Sequence, residues 1–99
     1  MELVNHPNHY NREGRKECIV EMQDLFGRHT TAVFCLTNAY KYLYRAGEKE
    51  ANSKKQDMAK AKWYFDYFTE HLESQLYGHG KNIINLYHNV EMELKKYYG

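Results

Sequence analysis

The stretch DMAKAKWYFDYFTEHLESQL, residues 57–76, decides the fold. At roughly 100° per residue, Met58, Ala61, Phe65, Phe68, Leu72 and Leu76 fall within about 80° of one another on a helical wheel. That is a long amphipathic helix with one apolar face, and no period-two alternation competes with it. A second stripe holds Lys60, Tyr64, Tyr67 and His71, with Trp63 beside it. The helix therefore has two usable faces, one for a core and one for a partner or ligand.

Immediately upstream, EKEANSKKQ (residues 48–56) reads as a polar loop, with Asn52 or Ser53 placed to cap the helix. Before the loop, a helix is expected from an N-cap at Thr30 or Thr31 to Ala46. Its apolar stripe is Val33, Leu36, Tyr40 and Leu43, and Gly47 follows as the C′ residue. A shorter helix precedes it, Arg15 to Phe26, with Cys18, Ile19, Met22 and Phe26 on one side and Gly27 as its stop. Residues 1–14 carry Asn, His, Pro and Gly without helical period and read as an extended arm. Downstream, GHGKN (78–82) breaks the chain. Ile83, Tyr87, Val90, Leu94 and Tyr97 then form a heptad seam, flanked by the i,i+4 pair Glu91 and Lys95. The seam is too short for a free-standing coiled coil and suits packing inside a bundle or across a symmetry axis.

The expected fold is all-α: a single domain over residues 1–99, built as a small helical bundle of about four helices. Its parts are the N-terminal arm (1–14), the bundle core (15–76) and the C-terminal heptad helix (80–98). With only 99 residues it has a small core, which oligomerisation would reinforce. Ten tyrosines suit wet interfaces and stacked ligands, or a small core built from Tyr instead of Leu. A net charge of +1 disfavours binding to a long nucleic acid, so any anion site must be local. Cys18 and Cys35 form no CxxC, which fits a reducing compartment. No apolar run approaches the roughly 18 residues of a membrane span, and the N-terminus lacks a signal-peptide core, so a cytosolic protein without a membrane partner is expected.

Within NAYKYLYRAGEK (38–49), Asn38, Lys41 and Arg45 share the face opposite the Leu36 stripe, with Tyr42 and Tyr44 flanking it and Lys49 just past the glycine. One reading is an anion site, with Lys as a point charge, Arg as a fork for phosphate oxygens, Asn for a base or ribose and Tyr for stacking. The other is a solvated helix face whose Arg45 suits the negative end of the helix dipole. Phe34 on that face argues against the second. His6 and His9 straddle the only proline, Pro7. Their spacing matches no metal-ligand motif, so no metal site is assigned. The arm either hydrogen-bonds across the domain or folds over a ligand. Glu17, Glu21 and Asp24 form a carboxylate row of the kind that holds magnesium when a second helix faces it. Asp57, or Asp66 with Glu70, would be the loose partner here, and a solvated face reads better. No Walker loop, GxGxxG or GxSxG is present, and no nucleophile–base pair stands out.

Four blocks together carry a resemblance: HPNHY (6–10), ECI (17–19), FCLTNAYKYLYRAGEK (34–49) and DMAKAKWYFDYF (57–68). They resemble a family of small phage-encoded domains of uncharacterised function, related to part of a phage nucleoside-monophosphate kinase without a Walker motif. The likeness runs from about Val4 to Phe68. It implies a phage protein, in the cytoplasm of the infected bacterium, that handles nucleotides. By position it implies a ligand set of His6, His9, Tyr10, Asn38, Lys41, Arg45 and Lys49, with Lys60, Trp63 and Tyr64 from the following helix. The family tends to carry an acid after Glu17-Cys18-Ile19, where this chain has Val20. Two functions follow as expectations. One is an oligomeric binding protein, needing no cofactor, that sequesters a nucleotide-derived defence signal of the cyclic-dinucleotide or ADP-ribose type. The other is an enzyme, a Walker-less nucleoside-monophosphate kinase or a nucleotide hydrolase, for which magnesium is a possible cofactor.

Overall fold

The computed structural model describes residues 17–48, 53–78 and 80–99. All the regular structure among them is helical: α1 (Cys18–Arg45), α2 (Lys54–Tyr67) and α3 (Lys81–Tyr98). The arm over residues 1–14 lies outside the described residues. The first two expected helices meet end to end at Gly27 and α1 takes in both, so three helices stand where four were expected. Gly27 still interrupts α1. Its φ of 92° and ψ of 164° kink α1 in a conformation that only glycine adopts readily. Thr31 does not cap a new helix. It is buried, and its hydroxyl donates back to the Gly27 carbonyl at 2.9 Å.

At the far end of α1, Gly47 takes φ 76°, as expected of a C′ residue. A Cβ there would also come within 3.1 Å of the Lys54 Cβ. Ser53 caps α2 by a reciprocal box: its hydroxyl accepts from Gln56 N–H at 3.0 Å and its own N–H donates to Gln56 Oε1 at 3.2 Å. α2 then loosens into a π turn (Phe68–Leu72) and tightens into a 3₁₀ turn (Glu73–Gly78). Through this change of pitch Phe68, Leu72 and Leu76 all stay buried. Arg28, next to the kink, donates to the His71 carbonyl and lies 3.4 Å from the Ser74 hydroxyl, so it ties α1 to the widened turn.

The core lies between the helices. α1 contributes Ala32, Cys35, Leu36 and Ala39; α2 and its continuation contribute Met58, Ala61, Tyr64, Phe68, Leu72 and Leu76; α3 contributes Tyr87, Val90 and Leu94. Two expectations change. On α1 the buried face is turned away from Tyr40, which is 44% exposed, towards the small residues Ala32, Cys35 and Ala39. Small side chains let α1 and α2 approach closely at Ala61. Phe26, expected on the inner side, is 64% exposed. On α2 Tyr64 is buried, whereas Phe65 is half-buried and stacks on Tyr87 with ring centres 5.3 Å apart. The heptad seam of α3 faces the chain's own core through Tyr87, Val90 and Leu94. Glu91 and Lys95 pair at 3.9 Å as expected.

Candidate functional site

Turning the α1 face towards the small residues brings Phe34, Tyr42 and Arg45 to the α2 side. Tyr42 stacks almost parallel on Tyr64, with ring centres 6.1 Å apart and planes 8° from each other. Three cations converge on the Tyr42 ring: Lys41 Nζ lies 4.6 Å from its centre, Arg45 Cζ 5.4 Å and Lys60 Nζ 5.5 Å. Each gains about 0.5–1 kcal/mol from the ring at a partly exposed site, while the like charges oppose one another. The cluster is a local positive centre on a chain of net charge +1.

Tyr64 anchors the cluster. It is 5% exposed and takes Phe34 and Trp63 edge-on, at 5.6 Å and 5.1 Å. Trp63 stacks on Tyr67 at 5.7 Å, and Tyr67 lies 4.4 Å from His71, so a column of rings runs down α2 away from the cations. The Tyr67 hydroxyl donates to Gln23 on α1, and burial pushes its phenol above the usual tyrosine range. Cys18, Ile19, Met22 and Phe34 close an apolar niche against Trp63 and Tyr64.

The sequence-derived set can now be placed. Lys41, Arg45, Lys60, Trp63 and Tyr64 come together around Tyr42, and half-buried Asn38 stands one turn before Tyr42 on α1. His6, His9, Tyr10 and Lys49 lie outside the described residues. Two participants were missed. Tyr42, taken only as a flank, is the ring on which the cations meet. Asp57, weighed only as a metal ligand, is fully buried in the first turn of α2. Its Oδ2 accepts from Gly47 N–H at 3.2 Å, and its Oδ1 faces Arg45 Nε at 3.6 Å, an ion pair rather than a hydrogen bond. A signal for it existed: Asp57, Ala61, Tyr64 and Phe68 are spaced as one helical stripe, so the carboxylate is in register with the core.

The carboxylate row does not assemble a metal centre. Glu17 and Val20 face Asp66, Glu70 and His71 across a shallow cleft of about 370 Å³. Asp66 is held by Lys62 at 2.6 Å, and Glu70 lies 4.0 Å from His71 Nε2. Among the described residues no group of three or more His, Cys, Asp or Glu side chains can hold a metal ion. Val20 lines this cleft, at the position where an acid was expected from the resemblance. Both cysteines are free thiols, and burial pushes Cys35 up to about 12, which leaves it unreactive. The arrangement therefore sets cations beside stacked rings, a combination with the chemistry to take an anion attached to a planar group.

A family model described as a protein of unknown function, DUF3310, covers residues 4–66. The span includes every candidate site residue and excludes α3. No curated protein and no solved structure matches the chain. Among the described residues, no helix is long and apolar enough to cross a membrane.

Proposed function

The chain belongs to the DUF3310 family, and on that footing we propose that it binds a nucleotide or nucleotide-derived small molecule through the Tyr42 cluster. The observation that supports this reading is the convergence of Lys41, Arg45 and Lys60 on Tyr42, backed by Tyr64 and Trp63. Phosphates would sit on the cations, and the base would stack on exposed ring surface. His6, His9, Tyr10, Asn38 and Lys49 complete the proposed set. Among the described residues no activated nucleophile or general base stands beside the cations, which favours holding the molecule over changing it. We place it, as a phage protein and a homo-oligomer, in the cytoplasm of the infected bacterium. There it would sequester a defence signal of the cyclic-dinucleotide or ADP-ribose type.

A nucleotide kinase or hydrolase is the second reading, supported by the cleft that sets Glu17 against Asp66 and Glu70. One experiment separates the two. The pure protein is incubated with cyclic dinucleotides and ADP-ribose, and separately with nucleoside monophosphates, ATP and magnesium. Each mixture is chromatographed before and after denaturation. A ligand that disappears and returns intact on denaturation supports sequestration; a new phosphorylated or cleaved product supports the enzyme. Full recovery of every nucleotide without denaturation refutes both.

A further inference from the structure

Asp57 carries a charge in a place where charge is costly, and the site as proposed does not use it. Its side chain has no solvent exposure. A carboxylate buried alone would be strongly destabilised. Three features offset that here: the Arg45 guanidinium, the Gly47 N–H and the positive N-terminal turn of α2.

We propose that Asp57 is a positioning residue of the anion site, acting through Arg45. The proposal rests on the anion-binding reading above. If Arg45 swung out to solvent, the carboxylate would keep only the Gly47 N–H and the helix turn, so the fold favours a guanidinium held toward Asp57 before any ligand arrives. Its Nε edge faces Asp57, and its carbon centre stands 5.4 Å from the Tyr42 ring that Lys41 and Lys60 also approach. A guanidinium has a second edge of N–H donors that can reach a phosphate while the first stays in place. A lysine has one ammonium and cannot serve both. The Gly47 N–H bond fixes the turn that follows Arg45, two residues before Lys49 in sequence.

The sign of one substitution tests this. Asp57→Asn keeps an acceptor for Gly47 N–H and removes a negative charge beside Arg45, one of the three cations on Tyr42. If bulk charge governed the site, inorganic pyrophosphate would bind more tightly to this variant. If Asp57 positions Arg45, it binds about ten-fold more weakly. Arg45→Lys keeps a positive partner for Asp57 and should preserve the melting temperature while also weakening pyrophosphate about ten-fold. In the Arg45→Lys background, Asp57→Asn should cost no further affinity. Without ligand, the Arg45 Nε–H should exchange with solvent more slowly than the Arg28 Nε–H by nitrogen-15 NMR, and Asp57→Asn should abolish the difference. Arg45→Lys stands as the test should Asp57→Asn fail to fold. Tighter or unchanged binding by Asp57→Asn, or wild-type affinity in Arg45→Lys, overturns the positioning role alone. Failure of the wild-type protein to bind pyrophosphate overturns the anion site and this proposal with it.

Discussion

Gly27→Ala separates backbone strain from steric contact inside a helix. A Cβ at position 27 meets nothing within 4 Å, so crowding contributes nothing. The φ of 92° with ψ of 164° lies in a region reserved for glycine, and an alanine held there costs about 1–3 kcal/mol. Alanine also restricts the unfolded chain, which returns about 0.4–1 kcal/mol. The net loss is therefore about 0–2.6 kcal/mol, with a midpoint of about 1.3 kcal/mol. The chain has one escape, which is to straighten α1 and gain roughly 1 kcal/mol of helix propensity. Straightening would pull the segment before Gly27 off the core. It would expose Ile19, 6% exposed in the kinked form, and part Gln23 from the Tyr67 hydroxyl. Burial of an isoleucine alone is worth about 1.5–3 kcal/mol, so the escape is no cheaper. Thermal unfolding followed by circular dichroism should show, at that midpoint, a melting temperature lower by about 5–10 °C. Gly80→Ala, at an ordinary φ of −74°, is the control and should cost less than about 1 kcal/mol. A Gly27→Ala protein that melts with the wild type and keeps the Tyr67–Gln23 contact by NMR would refute the kink as described.

The inward-facing seam of α3 predicts that Val90→Ala, at a site with no exposure, costs about 1–3 kcal/mol in urea unfolding, whereas Met92→Ala, 49% exposed, stays within about 0.5 kcal/mol. Equal effects would mean that the helix faces the other way. Lys41→Gln and Lys60→Gln should each weaken nucleotide binding several-fold at low salt and flatten its salt dependence, with little change in melting temperature. Loss of stability without loss of binding would remove them from the site. Thiol titration of the native protein near pH 8 should count one fast cysteine, the exposed Cys18, with Cys35 reacting only after unfolding. The folded state holds the Cys35 proton up to about pH 12, while an unfolded thiol releases it near 9.0. In that window the unfolded state binds fewer protons, so stability falls as pH rises. A Cys35→Ala protein should lack this component, and an unchanged slope between the two proteins would refute it.

Legibility varied with how each residue type behaves on average. The apolar period of α2 placed Met58, Ala61, Phe68, Leu72 and Leu76 correctly because large apolar side chains at helical spacing have few alternatives to burial. The α1 face was misplaced because the wheel favoured Tyr40 and Val33 over alanine. At a close helix crossing, small side chains win. Gly27 was read correctly as a break, but a kink and a terminus carry the same local signature. The convergence of Lys41, Arg45 and Lys60 was partly legible, since charge spacing places residues on faces without revealing which faces meet. Asp57 was misread because a carboxylate defaults to solvent or metal. Its burial is tolerable because Arg45 across the helix pair, the Gly47 N–H and the first turn of α2 all face it.

The reach of the family match has a consequence for where this domain can be cut. Similarity to the family stops at residue 66, yet Phe68, Leu72 and Leu76 follow it, and Tyr87, Val90 and Leu94 supply the third wall of the core. Phe65, inside the match, has Tyr87 as its stacking neighbour, outside it. The edge of recognisable sequence is therefore not a folding boundary. A fragment ending at 66 would keep every candidate ligand residue and present an open apolar flank to water. What this part of the chain demands of its C-terminal wall is an apolar helical surface of the right depth, a loose requirement that many sequences meet. The wall has only a shape to satisfy, whereas the Tyr42 side of the same core also sets charged groups against its rings.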